Sequence, residues 1–156
     1  MVKVMASGVF DILHLGHLHF LQEARKLGDE LIVVVACDAT VRKLKHEPVT
    51  PETMRAELVG ALKVVDRVVI GGKGDPYDTV LELRPDRIAI GFDQTWDPQK
   101  VTRELKERGI DVEVVRMPKL DSDLNGTRKI IQKVISMWNI QKQIQAAEAL
   151  PPMPNK

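Results

Sequence analysis

Leu31-Ile32-Val33-Val34-Val35-Ala36 is a continuous apolar run in which four of six residues are β-branched. A strand apolar at every position, rather than at alternate ones, is buried on both faces, as in the interior of a parallel sheet. Upstream, Leu18, Leu21, Ala24 and Leu27 recur at three-residue intervals, which predicts a helix, with Gly28 expected to end it. Before that helix, Val2 to Ala6 reads as the first strand. Downstream, Arg67–Ile70, Arg87–Ile90 and Val112–Val115 supply three more strands.

Helical patterns fill the intervals. Thr50-Pro51 reads as N-cap and N1 of a helix reaching about Leu62. Tyr77–Leu83 is a short helix stopped before Arg84-Pro85, and Asp97-Pro98 opens another that Gly109 stops. The last helix is expected to start near Asn125, with Asn125 as a possible cap, and to end near Ala149. Strands alternating with helices define an α/β fold, a doubly wound five-stranded parallel sheet of Rossmann-like type with order 3-2-1-4-5 and a C-terminal helix. The main domain is expected over 1–136, with a helical extension and frayed proline-rich tail over 137–156.

The composition fits that reading. A chain of 156 residues, 44% hydrophobic and 29% charged, forms one soluble domain with a core that needs no staples. Cys37 is the only cysteine, which excludes an intramolecular disulfide and a four-cysteine zinc site. No apolar run approaches the ~20 residues of a membrane span, and the N-terminus lacks a secretory pattern, so a cytoplasmic location is expected. A formal net charge of +1 argues against bulk binding of nucleic acid.

Ligands of such sheets bind beyond the carboxyl ends of the strands, where the strand order reverses. There, Ser7-Gly8-Val9-Phe10-Asp11-Ile12-Leu13-His14-Leu15-Gly16-His17 is a turn leading into a helix. A helix start offers free N–H groups and partial positive charge, both suited to phosphate. His14 and His17, three residues apart, project to one side, and Gly16 leaves room for close approach to the backbone. The pair could bind a phosphate, ligate a metal, or lie idle on the surface. His19 and His46 offer no convincing third metal ligand. Neither GxGxxG nor GxxxxGK[ST] is present.

Gly8-Val9-Phe10-Asp11-Ile12-Leu13-His14-Leu15-Gly16-His17 resembles the G-x-F-D-x-x-H-x-G-H signature of the cytidylyltransferase-like nucleotidyltransferases, and the similarity extends from about Val2 to Ile135. Within that superfamily, Leu27 to Asp38, Val41 to Lys45, Leu62 to Asp66 and Gly91-Phe92-Asp93-Gln94 are similar to the archaeal FAD synthase group. The cytidylyltransferase element R-T-x-G-I-S-T-T is replaced: Lys119 stands near its arginine and Asn125–Lys129 near its end.

The resemblance implies a nucleotidyltransferase domain that joins FMN and ATP to give FAD and pyrophosphate, with positioning and charge stabilisation as its means. It implies His14 and His17 as catalytic residues. Val9, Phe10, Leu15, Gly16, Asp93 and Thr127 would complete the nucleotide site, Val9 and Phe10 through their backbone. Asp11, Asp38, Lys43, Lys45, Arg55 and Arg128 would serve the acceptor or the phosphates, with Arg42 to His46 as a mobile lid. A divalent cation, Mg2+ or another, would come in with ATP, its protein ligands unknown, and a homodimer is possible.

Several of these residues have an ordinary alternative. Phe10 could be core, Asp11 a helix cap, Arg42 to His46 a solvated face, Arg55 half of a surface ion pair and Asp93 a loop turn. Trp96 could stack on a base or a flavin ring, or cover the core; Cys37 reads as a small buried residue. Two other functions stay open: a cytidylyltransferase acting on a phosphoalcohol such as glycerol 3-phosphate, and a non-catalytic binder of nucleotide or flavin.

Overall fold

The computed structural model describes residues 1–44 and 46–149. Five parallel strands, β1 (Lys3–Gly8), β2 (Glu30–Val35), β3 (Arg67–Ile70), β4 (Arg87–Ile90) and β5 (Glu113–Arg116), form one sheet in the order β3-β2-β1-β4-β5. The expected fold class and strand order are therefore observed. Six helices accompany the strands: α1 (Leu15–Arg25), α2 (Asp38–Leu44), α3 (Glu52–Gly60), α4 (Pro76–Leu83), α5 (Pro98–Glu107) and α6 (Thr127–Glu148).

Alternation along the strands divides the core in two. Val4, Ala6, Leu31, Val33 and Val35 meet Leu21 and Ala24 of α1 and Val59 of α3 on one face. Met5, Ile32, Val34, Ile88 and Ile90 meet α4 and α5 on the other. Full burial of each large aliphatic side chain stabilises the fold by roughly 1.5–3 kcal/mol, which is why the two-faced apolar run at Leu31–Val35 locates the centre of the sheet so firmly. β1 pairs with β2 to its last residue, Gly8 against Val35, but with β4 only as far as Ala6 against Ala89. The crevice at the carboxyl ends therefore opens between β1 and β4, at the reversal of strand order.

Several boundaries differ from the sequence expectation, each for a local reason. α1 ends at Arg25 with Lys26 as its C-cap, not at Gly28. Gly28 instead lets the chain pass the start of β1, where an added Cβ would come within 2.6 Å of the Val2 carbonyl oxygen. The N-cap of α3 is Pro51 rather than Thr50, because Thr50 turns its hydroxyl to Asp11. The N-cap of α6 is Gly126 rather than Asn125, whose amide donates to the Leu120 carbonyl at 2.5 Å. Gly109 does stop α5, in a left-handed conformation with φ +80°. The short helix α2 was not anticipated; Val41 is its one buried residue. α6 runs without interruption across position 136, and the tail over 150–156 lies outside the described residues. Among the described residues, no helix is long and apolar enough to cross a membrane.

Candidate functional site

The turn after β1 is held in an unusual backbone shape. Phe10 and Ile12 both have positive φ, 54° and 52°. Neither is glycine, and such positions typically store about 1–3 kcal/mol each, so the surroundings must enforce them. Asp11, between them, is the fastener. Its buried carboxylate accepts the backbone N–H of Val49 at 2.6 Å and both the N–H and hydroxyl of Thr50, at 3.0 and 2.6 Å. Burial pushes its pKa up, but these hydrogen bonds and the Arg55 charge outweigh that and hold it below the usual value. Asp11 therefore caps the loop before α3, not a helix. Phe10 is buried in the core, with its ring against Phe20 and edge-on to His17.

His14 is the N-cap of α1. Its Nδ1 accepts the backbone N–H of Gly16 at 3.0 Å, so in the neutral ring the proton sits on Nε2, as a donor. The His14 and His17 rings stack, with centroids 3.8 Å apart and planes inclined by 25°. Burial lowers the His14 pKa from its ordinary value, and the nearby Asp93 carboxylate opposes the shift only in part.

Gly16 also has a part in the fold. An added Cβ would lie 2.9 Å from the His14 ring and would overlap the Asn125 carbonyl oxygen. The space is taken by the chain entering α6. One hydrogen bond secures this arrangement: the Thr127 hydroxyl donates to the Asp11 carbonyl at 2.7 Å. The N-termini of α1 and α6 thus converge beside the two histidines. Since no side chain caps α6, its first amides and partial positive charge are available to an anion.

Arg55 is fully buried. Its guanidinium donates to the Val9 carbonyl at 2.6 Å, the Thr50 carbonyl at 3.0 Å and the Asp38 carboxylate at 2.6 Å. It ties together the turn after β1, the loop before α3 and the start of α2. The backbone N–H of Asp38 in turn donates to the Glu52 carboxylate at 2.6 Å. Arg55 is thus an internal tie whose ion-pair partner is Asp38.

Across the crevice, Asp93 is exposed on the loop after β4. Two residues that sequence reasoning gave no role shape this loop. The Gln94 amide accepts the Gly91 N–H and donates to the Ser7 carbonyl, both at 2.9 Å, joining the ends of β4 and β1. Arg116, the last residue of β5, donates to the carbonyls of Gly91 and Gln94 at 2.9 Å each, and to that of Trp96. Gln94 stood within the quoted Gly91-Phe92-Asp93-Gln94 segment, whereas nothing in the sequence marked Arg116. Trp96 is partly exposed and meets Tyr77 edge-on, while the Lys119 ammonium lies 5.7 Å from the centre of the Phe92 ring.

The structure thus brings together Asp11, His14, Gly16, His17 and Thr127, with Asp93 close enough to influence His14. Val9 joins them through its carbonyl, which is engaged by Arg55. Leu15, Lys43 and Arg128 are exposed, and Lys45 lies outside the described residues. Arg42 pairs with Glu47 through two hydrogen bonds of 2.8 Å. Cys37 is buried beside Thr40. Among the described residues, no group of three or more His, Cys, Asp or Glu side chains could hold a metal ion.

A parallel sheet with an HxGH pair at a helix N-terminus, beside its strand-order reversal, defines a class of nucleotide-handling α/β proteins. The chain belongs to the cytidylyltransferase-like family, whose model matches residues 5–148. It is 59% identical to a FAD synthase of Aciduliprofundum boonei over 136 residues, 86% of this chain and 91% of that one. It is 46% identical to a FAD synthase of Thermoplasma volcanium over 88% of this chain and 96% of that one. Among solved structures, a protein from Thermoplasma volcanium described as a lipopolysaccharide core biosynthesis protein superposes with a TM-score of 0.76 at 50% identity, covering 78% of this chain and 99% of that chain.

Proposed function

We propose that this chain is an FAD synthase that transfers AMP from ATP to FMN. A phosphate oxygen of FMN attacks the α-phosphorus of ATP. The bond from that phosphorus to the bridging oxygen of the β-phosphate breaks, and pyrophosphate leaves with the bond's electron pair. The observation that carries this reading is the stacked His14–His17 pair set between two converging helix N-termini. The kinship with archaeal proteins named FAD synthase supports FMN as the acceptor.

In this account, His14 donates from Nε2 to the triphosphate, and His17 stands beside it to offset the charge that builds during transfer. The amide of Leu15, and those at Thr127 and Arg128, line the phosphate path from two helix starts, while Gly16 orients the His14 ring through its own N–H. Val9 and Phe10 form the floor of the nucleotide site through their backbone, and Asp93 receives a hydrogen bond from the ribose or the base. Asp11, Asp38 and Arg55 hold that floor from below, while Lys43 approaches the phosphates from α2. A divalent cation enters on the phosphates of ATP as part of the substrate. The protein works in the cytoplasm, as a homodimer, without nucleic acid.

The test is incubation with FMN and either ATP or CTP, followed by measurement of flavin product and pyrophosphate. FAD and pyrophosphate in equal amounts with ATP support the reading. Transfer from CTP to glycerol 3-phosphate, with none to FMN, would replace it.

A further inference from the structure

Arg116 ends β5 in register with Ile90, the end of β4, and the loop that follows Ile90 folds back over its side chain. Its Nη1 donates to the carbonyls of Gly91 and Gln94 at 2.9 Å each, with the Phe92 carbonyl 3.5 Å away, and its Nη2 donates to the carbonyl of Trp96. Main-chain acceptors from one end of the loop to the other thus converge on a single guanidinium. A guanidinium suits the task because its donors spread outward in a rigid plane, whereas an ammonium gathers its three at one point. Among the described residues, no carboxylate pairs with Arg116.

Fold stability is a poor reason for this arrangement. Ordering a long side chain costs rotamer freedom, and the bonds to Gln94 and Trp96 lie at the surface, where water can solvate the same carbonyls. What the bonds fix is the course of the loop, and the loop carries Asp93. The Asp93 side chain is exposed rather than packed, so its place follows from the backbone on either side of it. From β1, Gln94 ties that backbone to Ser7 and to Gly91. From β5, Arg116 ties Gly91 and Gln94, which bracket Asp93. With both ties made, the Asp93 carboxylate stands close enough to His14 to act on its charge.

We propose that Arg116 is a positioning residue for nucleotidyl transfer: by gathering the carbonyls of the loop from Gly91 to Trp96, it holds Asp93 at the crevice beside His14, where the ribose or base of the nucleotide meets it. This rests on the reading of Asp93 as a nucleotide contact given above. Arg116 itself touches neither substrate.

The experiment compares the full chain with Arg116→Gln, Arg116→Lys, Asp93→Ala, and Arg116→Gln combined with Asp93→Ala, each shown by thermal melting to be folded. Hydrogen exchange of the Gly91 and Gln94 amides is followed without substrate, and kinetics are taken with whichever of ATP and CTP the parent chain uses. Arg116→Gln should speed that exchange by about tenfold or more, because the loop opens locally. It should also raise the nucleotide KM by about tenfold with kcat within about threefold of the parent, the mark of a contact made equally in the ground and transition states. Arg116→Lys should not restore KM. Asp93→Ala should raise KM by a similar factor, and the double variant should be within about threefold of the poorer single one, because both changes remove the same contact. Unchanged exchange in Arg116→Gln, a fall in kcat at constant KM, rescue by lysine, or losses that multiply in the double variant would overturn the inference. A parent chain that uses CTP and not ATP would overturn the FAD synthase reading, and the same comparisons would still decide the role of Arg116. A parent chain that transfers from neither nucleotide would overturn both.

Discussion

The Thr127 hydroxyl donates to the backbone carbonyl of Asp11 at 2.7 Å, closing the chain's last helix onto the turn that follows its first strand. Thr127→Val removes this link while keeping the side-chain shape. A neutral hydrogen bond of this kind contributes about 0.5–1.5 kcal/mol, so the melting temperature should fall only slightly. The main effect should be on the nucleotide: KM for ATP should rise several-fold, because the amides of α6 are no longer held against the histidines. Steady-state kinetics at varied ATP would show this.

Gly16→Ala tests the same junction from the other side. Helix propensity alone favours alanine by about 1 kcal/mol. The added methyl group, however, would meet the Asn125 carbonyl and the His14 ring. The variant should therefore be less stable than the parent chain and should bind a non-hydrolysable ATP analogue at least about tenfold more weakly, a loss on the order of 1.4 kcal/mol. Calorimetric melting and titration with the analogue measure both effects.

His14 caps α1 through Nδ1, and in the proposed mechanism it also donates from Nε2 to the triphosphate. In His14→Asn the amide oxygen can still accept the Gly16 N–H, so stability should stay within about 1 kcal/mol of the parent. Turnover should fall by about 10²–10³, the size of effect seen when one transition-state donor is removed. pH gives a second check. Because burial lowers the His14 pKa, the folded state binds this proton more weakly than the unfolded state. The resulting loss of stability is absent above the unfolded pKa near 6.5, grows as pH falls through that value, and levels off below the folded pKa. Replacing His14 with Asn should flatten this part of the stability profile.

Arg55→Lys keeps the charge but cannot reach Val9, Thr50 and Asp38 together. Breaking a buried, hydrogen-bonded ion pair usually destabilises by about 3–5 kcal/mol. Asp38 retains some exposure, so the lower end of that range is expected. Urea denaturation of the parent and variant chains would give the difference.

Much of this architecture could be read in the sequence because its determinants are local. The fully apolar Leu31–Val35 run locates the centre of the sheet, and His14 and His17 stand three apart at a helix start. What escaped depends on distant partners. Gly16 looks like an opening for a ligand until Asn125 is brought against it. Thr50 looks like a helix cap until Asp11 claims its hydroxyl. Arg116 looks like an ordinary strand residue until the fold places the carbonyls of Gly91, Gln94 and Trp96 around it. The helix α2 was missed because a seven-residue segment with one buried side chain has almost no periodic signal.

The most direct measurement is the fate of isotope from ATP labelled separately at the α- and γ-phosphates, with FMN as acceptor. Nucleotidyl transfer at His14 and His17 predicts that the α-label enters the flavin product and the γ-label leaves in pyrophosphate, both lost together in His14→Asn. Appearance of the γ-label in the flavin, or α-label transfer that survives the His14 substitution undiminished, would contradict it.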